Sequence, residues 1–497
     1  MPPPSPTYRS RTATPASRSP EAESSSVRDR RPEWPLVVLV ALNASFLPWA
    51  FGGVDAWSQW VSLALATASL VVALLPRSSP HEGSLVGPAT PWRRLRRFPL
   101  FWAGLLLFGY VVVQALNPAF RYYDDAQGWW LRRLEHLTWL PSGMIVPYQD
   151  MNPWRALVVW GAAWATLCAV YAGITRRSSL GALLIAMTAN AFLFSLFGIV
   201  QKASGTLEVY GTRVVEFHYF FGAIIYKNQA AAYLSLLAFF ALALTLRAFR
   251  KSAGASPSSV VFLLFAIAII AGLLLTYSFS GVALFSIALA AALGIALFFW
   301  KKASGPARSF TPLAVVVGVL VISAASIGTA VGHEQIAQKV RELSAGEGAH
   351  STKTRMLAAE AGWKMFQDEW LLGWGAGCFC YGFTKYQHAV PELTQWRYLH
   401  LRWEHVHNDW LETAIELGVV GLLPLLCGGV WWFRQTLRLG AWRDPLLQPI
   451  LCGLVALLVH GTFDFPWQNP AVLLTAAVAV TITLRWGELG RRATTPS

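Results

Sequence analysis

Val260-Val-Phe-Leu-Leu-Phe-Ala-Ile-Ala-Ile-Ile-Ala-Gly-Leu-Leu-Leu-Thr-Tyr277 is a run of 18 residues without a charge. As a helix it would be roughly 27 Å long, close to the ~30 Å hydrocarbon core of a bilayer. Similar runs lie on both sides of it. Ahead of it they cover 35–51, 57–75, 100–116, 154–174, 180–200 and 230–246. After it come 281–300, 313–331, 413–433, 446–461 and 470–484, the last two short and interrupted by Pro and Gly. Of the 497 residues, 55% are hydrophobic, 24 are Trp and only 13% are charged. Soluble domains carry about a quarter charged residues, so this composition excludes a disordered chain and argues against a soluble enzyme. The expectation is an all-α polytopic membrane helix bundle of about 12 transmembrane helices.

The chain has 40 Lys+Arg against 26 Asp+Glu, a net charge of +14. In a soluble protein this would point to nucleic acid. Divided by a bilayer it becomes a topology signal, and no nucleic acid is expected as a partner. Sorting the connections alternately puts 25 basic and 7 acidic residues on one side, and 15 basic and 19 acidic on the other. The first side, net +18, is then cytoplasmic and holds both termini; the other, net −4, is external. Residues 1–34, rich in Pro, Ser and Arg, read as a disordered cytoplasmic tail with no cleavable leader. The expected organisation continues with spans one to nine in 35–331 and a large, partly helical periplasmic loop in 332–412. Spans ten to twelve follow in 413–484, then a second cytoplasmic tail in 485–497.

The polar residues with chemical potential cluster on the external side. In the large loop, 354–370 has a helical apolar stripe of Met356, Trp363, Phe366 and Trp370, with Arg355 beside it. A helix lying on the membrane or on the bundle accounts for that stripe. The run Gly373-Trp-Gly375-Ala-Gly377 could expose N–H groups to phosphate, although a simple turn is the better reading. Next comes His405-Val-His407-Asn408-Asp409-Trp-Leu-Glu412, then Glu416. A helix beginning near Asn408 would align Asp409, Glu412 and Glu416 in one acidic stripe. Asp409 suits a helix cap; Glu416, about two turns deeper, does not, and a carboxylate there needs a cavity or a partner. His460 and Asp464, four apart, form a second cluster before the last span, and Tyr226-Lys227-Asn228-Gln229 a third. Lys227 suits either an interfacial snorkelling role or a cation offered to a ligand. Cys378 and Cys380 are too close for an unstrained disulfide and too few for zinc.

At these residues the chain resembles the O-antigen ligase/polymerase family of bacterial membrane glycosyltransferases. His407-Asn408-Asp409-Trp-Leu411-Glu412, continuing to Glu416-Leu-Gly418-Val-Val-Gly421, is similar to that family's HNxxL…ExGxxG signature. Arg355 with Trp370-Leu-Leu-Gly373-Trp-Gly375-Ala-Gly377 resembles R…PLLGxGxG, with Trp370 in the place of Pro. His460 to Pro470 resembles HSxxDFxxxxPA. Tyr226-Lys227-Asn228-Gln229 resembles NRNH with Lys for Arg, and Ser278-Phe279-Ser280-Gly281 resembles SRSG with the Arg lost. The resemblance implies transfer of a glycan from an undecaprenyl-diphosphate carrier to an acceptor sugar, in lipid A core or in a growing polysaccharide. It places the site at the periplasmic face of the bacterial inner membrane and calls for neither metal nor cofactor. It implies His407 as acceptor-side base or orienting group, with Arg355 and Lys227 holding the diphosphate. Glu412 and Glu416 would orient the histidine or the cations, while Asn228, Asn408, His460 and Asp464 line the substrate site. Arg213, Arg397 or Arg402 could compensate for the Arg missing at Phe279. Ligase, polymerase and protein glycosylation share a donor, and no motif separates them. A flippase or transporter for an anionic lipid-linked substrate would also use twelve spans, but the halves show no internal repeat. A non-catalytic scaffold is the third class.

Overall fold

The computed structural model describes residues 33–75, 89–125, 128–214, 220–252, 256–304, 347–395 and 402–492, with 254, 318 and 341 as isolated positions. Without water in the hydrocarbon region, each apolar run must pair its own N–H and C=O groups, which dictates helices. They are α1 (Trp34–Trp49), α2 (Ala56–Leu74), a short basic α3 (Ala89–Arg96), α4 (Pro99–Leu116), α5 (Pro153–Gly173) and α6 (Arg177–Ser204). Next come α7 (Lys227–Lys251), α8 (Pro257–Leu274) and α9 (Phe279–Ser304). The segment before the C-terminal spans holds α10 (Glu347–Asp368) and α11 (Phe379–Gln387), and the last three helices are α12 (Asp409–Arg438), α13 (Leu447–His460) and α14 (Pro470–Arg492). Among the described residues, nine helices are long and apolar enough to cross a membrane, and α1 and α13 are shorter apolar ones. Every expected span in the described residues falls on one of these eleven. The ninth expected span, 313–331, and the N-terminal tail to residue 32 lie outside the described residues, as do the last five residues of the C-terminal tail.

α7 is the axis of the bundle: 89% of its apolar window is buried, and α6, α8, α9, α13 and α14 surround it. Its small residues, Ala230, Ala231, Ala232, Ala238 and Ala241, let those neighbours approach closely. α13 has 14 residues and so rises only about 21 Å, short of a full crossing. The difference is made up by irregular chain, 461–469, with one 3-10 turn at Pro466–Gln468. Irregular backbone at that depth is tolerated only where protein buries it, and it places Asp464 inside the fold.

At the same end, an unexpected sheet follows α4. β1 (Pro118–Asp125) pairs antiparallel with β2 (Gly128–Arg133) and parallel with β3 (Gly143–Ile145). A two-stranded ribbon, β4 (Glu208–Val209) with β5 (Arg213–Val214), follows α6. The inward residues of the first sheet, Phe120 and Tyr122, pack on Trp374 and Tyr381, making a small second core over the end of the bundle. α10 contributes Ala358, Ala361 and Met365 to that core, while Met356, Trp363 and Trp370 remain at least half exposed. Of the aromatic stripe, Phe366 packs at the edge of that core while the other three face outward. Ala358 and Ala361 take the inner positions, where small side chains permit a closer helix approach.

Candidate functional site

Four chain segments, its own included, meet at the carboxylate of Asp464, which has no exposed surface. His407 brings Nδ1 to 3.4 Å from Oδ1, and Arg355 brings Nη1 to 3.5 Å from Oδ2 while also donating to the Phe463 carbonyl at 3.0 Å. The Tyr226 hydroxyl donates to the same carboxylate at 3.3 Å, and Asn228 donates through Nδ2. The Phe465 N–H completes the shell at 3.0 Å. A second layer ties the segments together: the Ser278 hydroxyl donates to Asn228 Oδ1 at 2.7 Å, and Ser280 Oγ lies 3.3 Å from His460 Nε2. Phe465 stacks on Tyr226 and on His405 at 4.7 and 4.2 Å and meets the edge of His407 at 5.0 Å.

The electrostatics follow from this packing. Burial pushes the Asp464 carboxyl up, but the His407 hydrogen bond and the Arg355 charge outweigh it, and its pKa ends below the usual carboxylate range. Burial, then the Asp464 charge, pushes the Tyr226 phenol upward, so it keeps the proton it donates. His407 adopts φ +59, a left-handed conformation uncommon outside glycine. The aromatic and carboxylate contacts hold it there, and such local strain is characteristic of functional positions. Its side chain is 24% exposed and that of Arg355 30%, so both present a surface beside a fully buried anion.

Asn408, not Asp409, caps α12, accepting the Leu411 N–H at 3.0 Å. Asp409 is buried in the first turn and accepts the Trp467 N–H at 2.9 Å. Glu412 lies on another face from the Asp464 cluster: it accepts the Val406 N–H at 3.0 Å and pairs with His405 Nδ1 at 2.7 Å. Burial works to lower the His405 pKa, but Glu412 overrides it and the net direction is up.

Glu416 sits in the glycine run. Its carboxylate accepts N–H groups of Gly377 and of Phe379, the latter at 3.3 Å, and its carbonyl accepts the Gly375 N–H at 2.9 Å. The N–H concavity that could hold a phosphate is thus filled by this protein's own carboxylate. The same loop threads a break in α12 at Gly418, where φ +61 and ψ 179 suit glycine alone. The Trp374 N–H donates to the Ile415 carbonyl at 2.8 Å and the Val419 N–H to the Trp370 carbonyl at 2.9 Å. A Cβ at Gly373 would come within 2.5 Å of the Glu416 carbonyl and the Gly418 nitrogen.

Lys227 is the first residue of α7, one position from Asn228. Lys202, at the end of α6, lies within its electrostatic reach and 4.8 Å from the Phe220 ring. Sequence reasoning missed Lys202; its signal is a cation at the external end of a span, on the side that collects few. Tyr226, Ser278, Ser280 and His405 were within the quoted segments but not singled out. Of the compensating cations, Arg213 pairs with Asp55 at 3.4 Å and Arg402 with Asp150 at 3.2 Å, while Arg397 lies outside the described residues. Phe279, where the Arg is lost, is 68% exposed at the start of α9. Cys378 and Cys380 are free thiols, and burial pushes that of Cys380 up to about 12.

Fold and site together define a polytopic membrane protein with a buried carboxylate that holds a histidine and an arginine at one end of its bundle. Residues 264–426 match the family model described as O-Antigen ligase, in line with the resemblance carried by the motifs. The matched segment includes Ser278, Ser280, Arg355, His405, His407, Glu412 and Glu416, and excludes the flanking partners Asn228 and Asp464. No curated protein matches the chain.

Proposed function

We propose that the protein transfers a glycan from an undecaprenyl-diphosphate carrier to an acceptor sugar at the periplasmic face of the bacterial inner membrane, with Asp464 as the organising group. The supporting observation is the convergence of His407 and Arg355 on one buried carboxylate. Asp464 engages His407 through Nδ1, which fixes the ring and leaves Nε2 as the proton acceptor, the logic of a carboxylate–histidine pair. The acceptor hydroxyl gives its proton to Nε2 as its oxygen forms the bond to the sugar's anomeric carbon. The bond from that carbon to the diphosphate oxygen breaks, and the diphosphate leaves with the electron pair. Arg355 spends one nitrogen on Asp464 and Phe463; its remaining donors suit the charge growing on the leaving group. Lys227, with Lys202 behind it, extends the cationic surface.

In this reading Tyr226, Asn228 and His460 hold the hub together, and Asn408 sets the start of α12. Glu412 positions His405, and Glu416 locks the loop that brings α10 and α12 together. Attachment to lipid A core and extension of a polysaccharide use the same donor-side geometry and differ in the acceptor. The test is complementation of a deletion strain with His407→Ala and Arg355→Ala. Both variants are expected at normal membrane abundance without surface glycan. Wild-type amount and length of glycan in both would end the proposal. Lipid profiling of the same strain separates the subtypes: unattached long polymer marks a ligase, single attached units a polymerase.

A further inference from the structure

α7, α9 and α13 reach the Asp464 site through Asn228, Ser280 and His460; α7 and α9 run from there to the opposite end of the bundle, and the shorter α13 runs beside them toward it. From Asn228 to Arg250, α7 rises roughly 33 Å, enough to cross the hydrocarbon core. There the structure has a shallow cleft, part of it open to the outside. Leu246, Phe249, Phe299 and Trp442 wall it, and Arg250 and Arg443 edge it. The Arg443 guanidinium is 5.8 Å from the Phe299 ring. The buried Nε1–H of Trp442 has no hydrogen-bond partner among the described residues. Asp444 is the one carboxylate in the lining, and its oxygens already accept the N–H groups of Leu446 at 2.8 Å, Leu447 at 3.3 Å and the Trp486 indole at 3.2 Å. Behind it Arg247 and Arg177 stand over the Trp486 ring at 4.2 and 4.8 Å. Four guanidinium groups thus gather around one engaged carboxylate, at the edge of an apolar cleft.

Such a cleft, at headgroup depth and between the ends of spanning helices, suits an amphiphile with an anionic head. A soluble anion would match the positive charge at the rim but leave the apolar walls without purpose. We propose that the cleft binds an acidic glycerophospholipid of the leaflet opposite the Asp464 site. Its phosphate sits between Arg250 and Arg443, and an acyl chain lies along Leu246, Phe249 and Phe299. This inference does not depend on the reaction proposed above.

The full-length protein in nanodiscs of phosphatidylcholine, with or without phosphatidylglycerol, provides the test. Native mass spectrometry reads retained lipid and thermal unfolding reads stabilisation. The wild type is expected to prefer phosphatidylglycerol by about tenfold or more, the scale set by two basic side chains at a headgroup. The R250Q/R443Q double variant should lose that preference and the R250K/R443K variant keep most of it. Leu246→Trp, which narrows the cleft without altering its charge, should lower retention of both lipids; it and the wild-type comparison decide the matter if R250Q/R443Q fails to fold. Three outcomes would each overturn the proposal: no preference in the wild type, an undiminished preference in a folded R250Q/R443Q variant, or equal stabilisation by millimolar inorganic phosphate.

Discussion

Replacing Asp464 by Asn keeps the shape of the hub but removes the charge that holds His407 and Arg355 together. An amide at that position can present its NH2 group to His407, which then loses the fixed ring orientation that makes Nε2 the proton acceptor. The expected outcome for Asp464→Asn is a kcat about 10²-fold lower or less still, the scale of one general-base contribution, with normal membrane abundance. Steady-state transfer kinetics check this; a wild-type kcat would remove Asp464 from the account. At this scale the sequence was only partly legible. His407, Arg355, Asn228 and Asp464 each stood out within a short motif, but His407 and Asp464 are 57 residues apart and Asn228 and Asp464 236. No local spacing carries such contacts. The acidic stripe of Glu412 and Glu416 was legible as one face of α12, yet its partners, His405 and the glycine loop, depend on how α10 and α11 pack.

Among the elements, the crossing of the 370–377 loop with α12 is the joint on which the site end is built. Two glycines make it possible, because Gly418 has a backbone conformation that only glycine adopts easily and any Cβ there would strike the Leu371 carbonyl. Gly418→Ala should therefore destabilise the protein by about 3 kcal/mol or more, combining backbone strain with the collision. Thermal unfolding measures it, with protease nicking near residues 370–377 as a local readout; an unchanged midpoint would show that the crossing is not required. The His405–Glu412 pair gives a pH signature. Since the folded-state pKa of His405 is raised, its contribution is fully present below the ordinary histidine value of about 6.5 and is lost as pH rises through the folded value. As pH rises above the ordinary histidine value, the wild type should lose stability relative to His405→Gln. Parallel stability curves for the two proteins would contradict this. The helices themselves were legible because apolar runs of bilayer length have few alternatives. The sheet β1–β3 was not, because Phe120 and Tyr122 find their burial against Trp374 and Tyr381, far along the chain.

At the scale of the whole molecule, basic side chains stand at both ends of the bundle. Arg177, Arg247, Arg250 and Arg443 gather around the cleft at the far ends of α7, α9 and α13, and Arg355, Lys227 and Lys202 stand at the near end. The buried axis of α7 connects the two ends, so that a bundle held by small residues carries polar clusters at both of them. The central claim is that the near end transfers a glycan with His407 as the proton acceptor. The most direct measurement supplies purified protein in nanodiscs with a lipid-diphosphate-linked glycan and an acceptor, and compares the wild type with His407→Gln. The account predicts transfer by the wild type and a rate about 10² to 10⁴ lower for the variant, with donor binding retained. Transfer by His407→Gln at the wild-type rate would contradict it.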